Sequence, residues 1–190
     1  MTETSVAKQR ANISETFDHR PGPSRQNATG GRWSSLIATN AAIAIGSRIH
    51  GSKSEIYVNG MCVELSRNKT SCPSIVIVNG EPKFSEGREV LQNPTVVLET
   101  VANDVDPLGR AEKLEGYLAL PSIKECLLVR SDQMRIEHYA RQNAKQWLYK
   151  IYDERDDVIS IDTLNCKVSV AEIYAKVDVK LSGLSSKAIN

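Results

Sequence analysis

Val96-Val97-Leu98-Glu99-Thr100-Val101 is an almost continuously apolar, β-branched run, the pattern of a strand covered on both faces. Ser74-Ile75-Val76-Ile77-Val78 upstream has the same character. The two runs predict the centre of a sheet. Downstream, Cys126-Leu127-Leu128-Val129 reads as a further buried strand, and between it and the first run lies an amphipathic segment. There Leu108, Ala111, Leu114, Tyr117 and Leu118 recur at helical spacing beyond Pro107, predicting a helix that ends near Pro121.

Working outward, Leu36, Ile37, Asn40, Ala41, Ala44, Ile45 and Arg48 mark a helix with one buried stripe over Trp33 to Ile49, stopping before Gly51. Glu55-Ile56-Tyr57-Val58 and Met61-Cys62-Val63-Glu64-Leu65 read as extended segments around Asn59-Gly60, a common tight-turn dipeptide. A second turn falls near Arg67-Asn68-Lys69-Thr70, and Gly80 to Pro94 reads as a loop. Met134 to Tyr139 and Trp147 to Tyr152 predict a final meander, and Val170 to Ala175 a short closing helix. The order of elements predicts an α/β fold, a sheet with helices packed against it. Residues 1–31 are polar and rich in Pro and Gly and read as a flexible arm; residues 32–176 form a single domain, and 177–190 a polar tail.

Composition narrows the function. The chain has 190 residues, 41% hydrophobic and 25% charged, enough for one soluble domain that needs no disulfide or metal staple. With 24 Lys+Arg against 23 Asp+Glu, any contact with nucleic acid must be local. Cys62, Cys72, Cys126 and Cys166 form no C-x-x-C pair, so a zinc knuckle is excluded and reduced thiols are expected, although Cys62 and Cys72 can face each other across a hairpin. No signal-peptide core and no apolar run of about 20 residues is present, so a cytoplasmic protein without a membrane span is expected. Phosphate-loop, G-x-S-x-G and H-E-x-x-H motifs are absent. His19 lies in the arm and His50 at a helix end. His138 shares a strand face with Met134 and Ile136, which predicts a core or edge position.

Glu99 stands out because an ionised carboxylate inside an apolar strand needs a partner, a proton, a metal or an exposed strand end. Lys113, on the next helix, lies four residues before Tyr117 and so on the same face.

Leu91-Gln92-Asn93-Pro94-Thr95 through Glu99, Arg110-Ala111-Glu112-Lys113-Leu114-Glu115-Gly116-Tyr117, and Leu120-Pro121-Ser122-Ile123-Lys124-Glu125-Cys126-Leu127-Leu128-Val129 together resemble the Uma-type endonucleases. That family belongs to the PD-(D/E)XK restriction-endonuclease-like superfamily. Cys72 to Pro82 and Val170 to Tyr174 are also similar to it, so the resemblance spans roughly Trp33 to Tyr174. It implies a mixed central β-sheet flanked by helices. It further implies a Mg²⁺-dependent DNA endonuclease in which Glu99 is a metal ligand and Lys113 orients the attacking water or stabilises charge, with homodimerisation a family expectation.

Four departures from the family pattern accompany the match. Pro73-Ser74 stands where the family has Pro-Asp, and a hydroxyl is a far poorer Mg²⁺ ligand than a carboxylate. Ala102-Asn103-Asp104 and Gly109 replace a small-residue turn and an acidic residue, and the family's acidic strand before the first helix gives way to the Pro/Gly-rich arm. The alternative expectation is therefore a catalytically inactive nuclease-fold module that binds nucleic acid or protein. Asp104 and Glu81 are the carboxylates that would compensate for Ser74 if they came within reach of Glu99.

Overall fold

A six-stranded mixed sheet forms the middle layer of the computed structural model, which describes residues 31–66, 69–87, 89–102 and 107–181. Of the arm expected at 1–31, residues 1–30, with His19, lie outside the described residues, as do Asn103 and Asp104 and the tail beyond 181. In chain order the elements are α1 (Arg32–Ile49), β1 (Ser54–Val58), β2 (Cys62–Ser66), β3 (Lys69–Ser71), β4 (Ile75–Asn79), β5 (Val90–Leu91) and β6 (Val96–Val101). There follow α2 (Pro107–Ala119), β7 (Glu125–Arg130), β8 (Gln133–Met134), β9 (Ile136–Asn143) and β10 (Gln146–Tyr152). The chain closes with β11 (Val158–Ile161), a 3₁₀ turn (Asp162–Leu164), β12 (Cys166–Ser169), α3 (Val170–Ile173) and β13 (Lys180–Leu181). The α/β class read from the sequence is the one observed.

The sheet runs β1-β4-β6-β7-β9-β10, so the two β-branched runs are adjacent strands at its centre. β6 and β7 pair in parallel, Val96 against Glu125 through Val101 against Arg130, while the other pairings in this sheet are antiparallel. A parallel pair needs a crossover, and α2 supplies it.

Alternate residues of the central strands feed two cores. On one face Ile75, Ile77, Leu98, Leu127 and Ile136 pack with Ile37 and Ile45 of α1, Ile159 of β11 and Tyr174 after α3. On the other, Val76, Val97, Cys126 and Leu128 pack with Tyr117 of α2 and with Val63 and Leu91. Covering on both faces is why the central strands are apolar at every position rather than at every second one. The polar members of the α1 stripe have their own function. Asn40 donates to the carbonyls of Ile173 (3.1 Å) and Ala175 (2.8 Å), and Arg48 pairs with Glu172 at 2.8 Å, tying α1 to α3.

Four expectations change. Asn59 and Gly60 do turn the chain, both at positive φ (47° and 127°), but the flanking strands enter different sheets. β1 joins β4, whereas β2 lies between β3 and β5 in a small three-stranded sheet above α2. The loop from Gly80 to Pro94 contains β5, recruited by parallel pairing with Cys62 and Val63 of β2. Residues from 177 are not all tail: Val177 and Val179 pack on the first core, and β13 pairs in parallel with β8. Finally, Cys62 and Cys72 are joined by a disulfide rather than reduced, while Cys126 and Cys166 are free and buried. The antiparallel β2–β3 pairing, with Val63 opposite Ser71, brings the two thiols together.

The bridge closes a loop of sequence separation 10 beside the second core. Replacing both residues (Cys62→Ser with Cys72→Ser) is expected to lower stability by about 2–3 kcal/mol, the loop-closure entropy of a ring that size. Urea unfolding would show this as an earlier midpoint. Thiol titration of the unfolded wild-type chain without reductant should find the two free cysteines, not all four.

Candidate functional site

Glu99 sits where β6 leaves the core: Val96, Val97 and Leu98 are buried, and Glu99, Thr100 and Val101 are half-buried. Its side chain falls on the face covered by α2, in register with Leu128 of β7, which is in turn opposite Glu137 of β9. α2 lies across this row. On its β2 side Gly116 leaves room for Leu65, whose Cδ1 a Cβ there would meet at 2.8 Å. With Tyr117 packed against Val97 and Leu128, residues at helical spacing before it reach the strand ends.

Lys113 Nζ donates to Glu99 Oε1 at 2.7 Å, and the Tyr117 hydroxyl donates to Glu99 Oε2 at 3.1 Å. Tyr117 is wholly buried, and its hydroxyl also meets Ser71 Oγ of β3 at 2.7 Å. Because the single Tyr117 proton goes to Glu99, Ser71 must donate to Tyr117, which fixes the direction of the chain Ser71 to Tyr117 to Glu99. The structure thus brings together Glu99 and Lys113, the two predicted site residues, with side-chain exposures of 12% and 22%.

Burial pushes the Glu99 carboxyl above the usual carboxylate range, and the Lys113 charge together with the Lys113 and Tyr117 hydrogen bonds pulls it back. Burial, followed by the Glu99 charge, drives the Tyr117 phenol far above its ordinary value, so it stays a protonated donor.

The Ser74 position lies one residue beyond the paired Ile75 and Leu98, alongside Glu99. Its hydroxyl does not face the carboxylate. It lies 2.8 Å from Thr100 Oγ1 and accepts from the Thr100 backbone N–H at 3.1 Å. Glu81 lies past the opposite end of β4, exposed, with its backbone carbonyl bound to Asn93 Nδ2 at 2.9 Å. Asp104 lies outside the described residues. Among those residues no three of His, Cys, Asp and Glu form a group able to hold a metal.

A second polar group extends the row. Glu137 Oε1 accepts from Arg110 of α2 and from Arg135, each at 3.2 Å, and Arg130 pairs with Asp132 at 2.7 Å. The 110, 113, 117 spacing that links Glu137 to Glu99 along α2 was visible in the sequence, but only its Lys113–Tyr117 part was used. On the far face, buried His138 Nε2 meets buried Glu125 Oε2 at 2.7 Å, and Thr163 N–H donates to Glu125 Oε1 at 2.7 Å. His138 therefore has its core position. Glu125 was missed, although it opens an apolar strand as Glu99 ends one.

The model of the Uma2 family, described as a putative restriction endonuclease, matches residues 20–172. The chain belongs to the Uma2 family. Two uncharacterised proteins of Synechocystis sp. are also similar to this Uma2 chain. Protein sll1609 is 26% identical over 96 residues, covering 50% of this chain and 54% of that protein, so the match spans about half the relative's length. Protein slr1290 is 21% identical over 141 residues, 74% of this chain and 73% of that one. The crystal structure of a putative nuclease belonging to DUF820 from Anabaena variabilis superposes with a TM-score of 0.60. It is 13% identical over 76% of this chain and 81% of its own, a likeness of fold. The restriction-endonuclease-like architecture expected from the sequence therefore holds.

The balance at Glu99 gives a direct expectation. Removing the ammonium with Lys113→Met leaves only the Tyr117 hydrogen bond to oppose burial, so the Glu99 carboxyl should titrate at a still higher pH than in wild type, followed by carboxyl ¹³C NMR. A folded-state pKa above the unfolded one means that the contribution of Glu99 to stability is complete below the ordinary carboxyl range and is lost as pH rises through the raised value. The loss on going from acid to neutral pH should thus be larger in Lys113→Met than in wild type.

Proposed function

We infer that this Uma2 protein is a disarmed member of its nuclease family, a module that binds DNA through the α2 face without efficient Mg²⁺-dependent cleavage. The observation that carries this reading is how the oxygen donors are used. A hard divalent cation needs several oxygen ligands, usually with more than one carboxylate. Glu99 has one oxygen held by Lys113 and the other by Tyr117, and the hydroxyl of Ser74 is held by Thr100. Among the described residues this donor set does not fit Mg²⁺, and the ammonium already neutralises the one carboxylate.

DNA as the ligand is supported by the family and by the arginines at the mouth of the same face. Arg110 and Arg135 both reach the carboxylate of Glu137 there, so guanidinium groups line this face on a chain whose formal charge is only +1. The second reading, a working Mg²⁺-dependent endonuclease, is favoured by the Lys113–Glu99 contact, since that pair would set a water beside a bound phosphate.

The test is cleavage and retardation of plasmid and single-stranded DNA in Mg²⁺ or Mn²⁺, with wild type beside Glu99→Ala, Lys113→Ala and Ser74→Asp. Wild type is expected to retard DNA, to cut no faster than Glu99→Ala, and to gain cleavage on Ser74→Asp. Cutting by wild type that disappears in Glu99→Ala overturns the disarmed reading in favour of the working nuclease. Failure to retard DNA at low salt overturns the DNA-binding module.

A further inference from the structure

Among the described residues β3 is held by few contacts. It is three residues long, stands at the edge of the β3-β2-β5 sheet with β2 as its one neighbour there, and pairs with β2 irregularly between Glu64 and Ser66. Lys69 and Thr70 are exposed. Lys69 reaches Glu112 of α2 at 3.8 Å, but both side chains are more than half in solvent, so the ion pair has little weight. Two stronger ties lie at the end of the strand. The Ser71 hydroxyl is 2.7 Å from that of Tyr117, and the next residue, Cys72, is bridged to Cys62. The bridge is reachable, because Cys72 is exposed and Cys62 half-buried. Cys126 and Cys166 are buried, and burial pushes both thiols above their ordinary range, so neither supplies a thiolate to reshuffle it. The six-stranded sheet contains neither bridged strand, so opening the bridge frees β3 without cutting that sheet.

We propose that the Cys62–Cys72 bridge is a redox-sensitive fastening of the Glu99 site: its reduction by a dithiol loosens β3 and withdraws Ser71 from Tyr117. A thiolate of the dithiol attacks the Cys72 sulfur, the S–S bond breaks, and Cys62 leaves as a thiolate. The second thiol then attacks the mixed disulfide and releases Cys72. Two electrons pass from the dithiol, which becomes a disulfide, and its two thiol protons end on Cys62 and Cys72. Once β3 is loose, Ser71 no longer donates to the Tyr117 oxygen. In the oxidised form that donation polarises the Tyr117 O–H, and the two bonds of a buried chain strengthen each other. Losing the first weakens the second. Glu99 Oε2 is then held less firmly, and a ligand arriving at the α2 face competes against a weaker donor. The inference rests on the α2 face being the one this protein uses, but its test contains no DNA. Failure to retard DNA overturns that reading alone and leaves the coupling to its own measurement.

The full chain is compared after oxidation with oxidised glutathione and after reduction with dithiothreitol, by amide hydrogen exchange and by ¹³C NMR of tyrosine labelled at the ring ζ carbon, whose shift follows the bonding of the hydroxyl. Of the six tyrosine signals, that of Tyr117 is identified by its loss in Tyr117→Phe. Reduction is expected to speed exchange over Lys69–Ser71 at least about tenfold while β4, β6 and β7 keep their protection, and to shift the Tyr117 signal. Cys62→Ser with Cys72→Ser should show the reduced pattern without reductant. In Ser71→Ala the Tyr117 signal should be displaced from the start and stay in place on reduction, which general loosening would not give. Unchanged exchange over β3 overturns the proposal, as does a loosened β3 with the Tyr117 signal unmoved. Equal loss of protection across the six-stranded sheet overturns it in favour of a plain staple of the whole fold. A chain whose Cys62 and Cys72 stay unlinked in oxidised glutathione overturns it as well.

Discussion

The parallel pairing of β6 with β7 is the constraint from which the site follows. Two parallel neighbours cannot be joined by a tight turn, so the chain must climb over the sheet and return, and the helix that carries it must bury an apolar stripe against the strands. α2 does this with Tyr117 and Leu114 facing Val97 and Leu128. Once Tyr117 is fixed as a core residue, Lys113 and Arg110 are fixed one and two turns before it, above the ends of β6 and β9. The functional geometry is a by-product of packing. The helix that completes the core is also the helix that brings an ammonium to Glu99 and a guanidinium to Glu137.

Each face of the sheet solves one problem of a buried carboxylate. On the α2 face Glu99 is stabilised by a cation and a phenol whose own hydrogen bonding continues to Ser71. On the α1 face Glu125 is stabilised by His138 and by the backbone N–H of Thr163. The difference lies in access. Glu125 and His138 are sealed between strands and the 3₁₀ turn, which suits a structural pair, whereas Glu99 and Lys113 retain contact with solvent at the strand end. Burial raises the free energy of a charge and a partner lowers it again, and only the exposed pair has room for a ligand to compete for that partner.

Much of this was legible because the central elements obey local rules. The runs Ile75 to Val78 and Val96 to Val101 are apolar without alternation, and only a doubly covered strand tolerates that, so the sheet centre and the helices over it were readable. Glu99 was readable for the same reason, as the one charge that violates the run. What was not legible depends on pairings between distant segments. Asn59-Gly60 encodes a turn but not which strands it separates, and the assignment of β2 to the small sheet follows from its contacts with β3 and β5. The disulfide depends on that same placement, since a ten-residue spacing brings Cys62 to Cys72 only when β2 and β3 pair. Ser71 and Glu137 were invisible for a related reason: their partners Tyr117 and Arg110 lie far along the chain.

Ser74, where the family resemblance leads one to expect an acid, is consistent with the rest of the site. Two carboxylates about 5 Å apart at a half-buried strand end repel by roughly 3 kcal/mol at an effective dielectric near 20, and a metal-dependent site tolerates this because the cation is bound between them. Without an acid at 74, the repulsion is gone. One ammonium suffices to neutralise Glu99, and the hydroxyl of Ser74 is released to hold the Thr100 amide and side chain at the splayed end of β4 and β6. The folded state is then electrostatically complete without any ion. A cation entering here would have to displace the ammonium of Lys113 from Glu99, so the donor geometry sets the cost of using this face for metal chemistry.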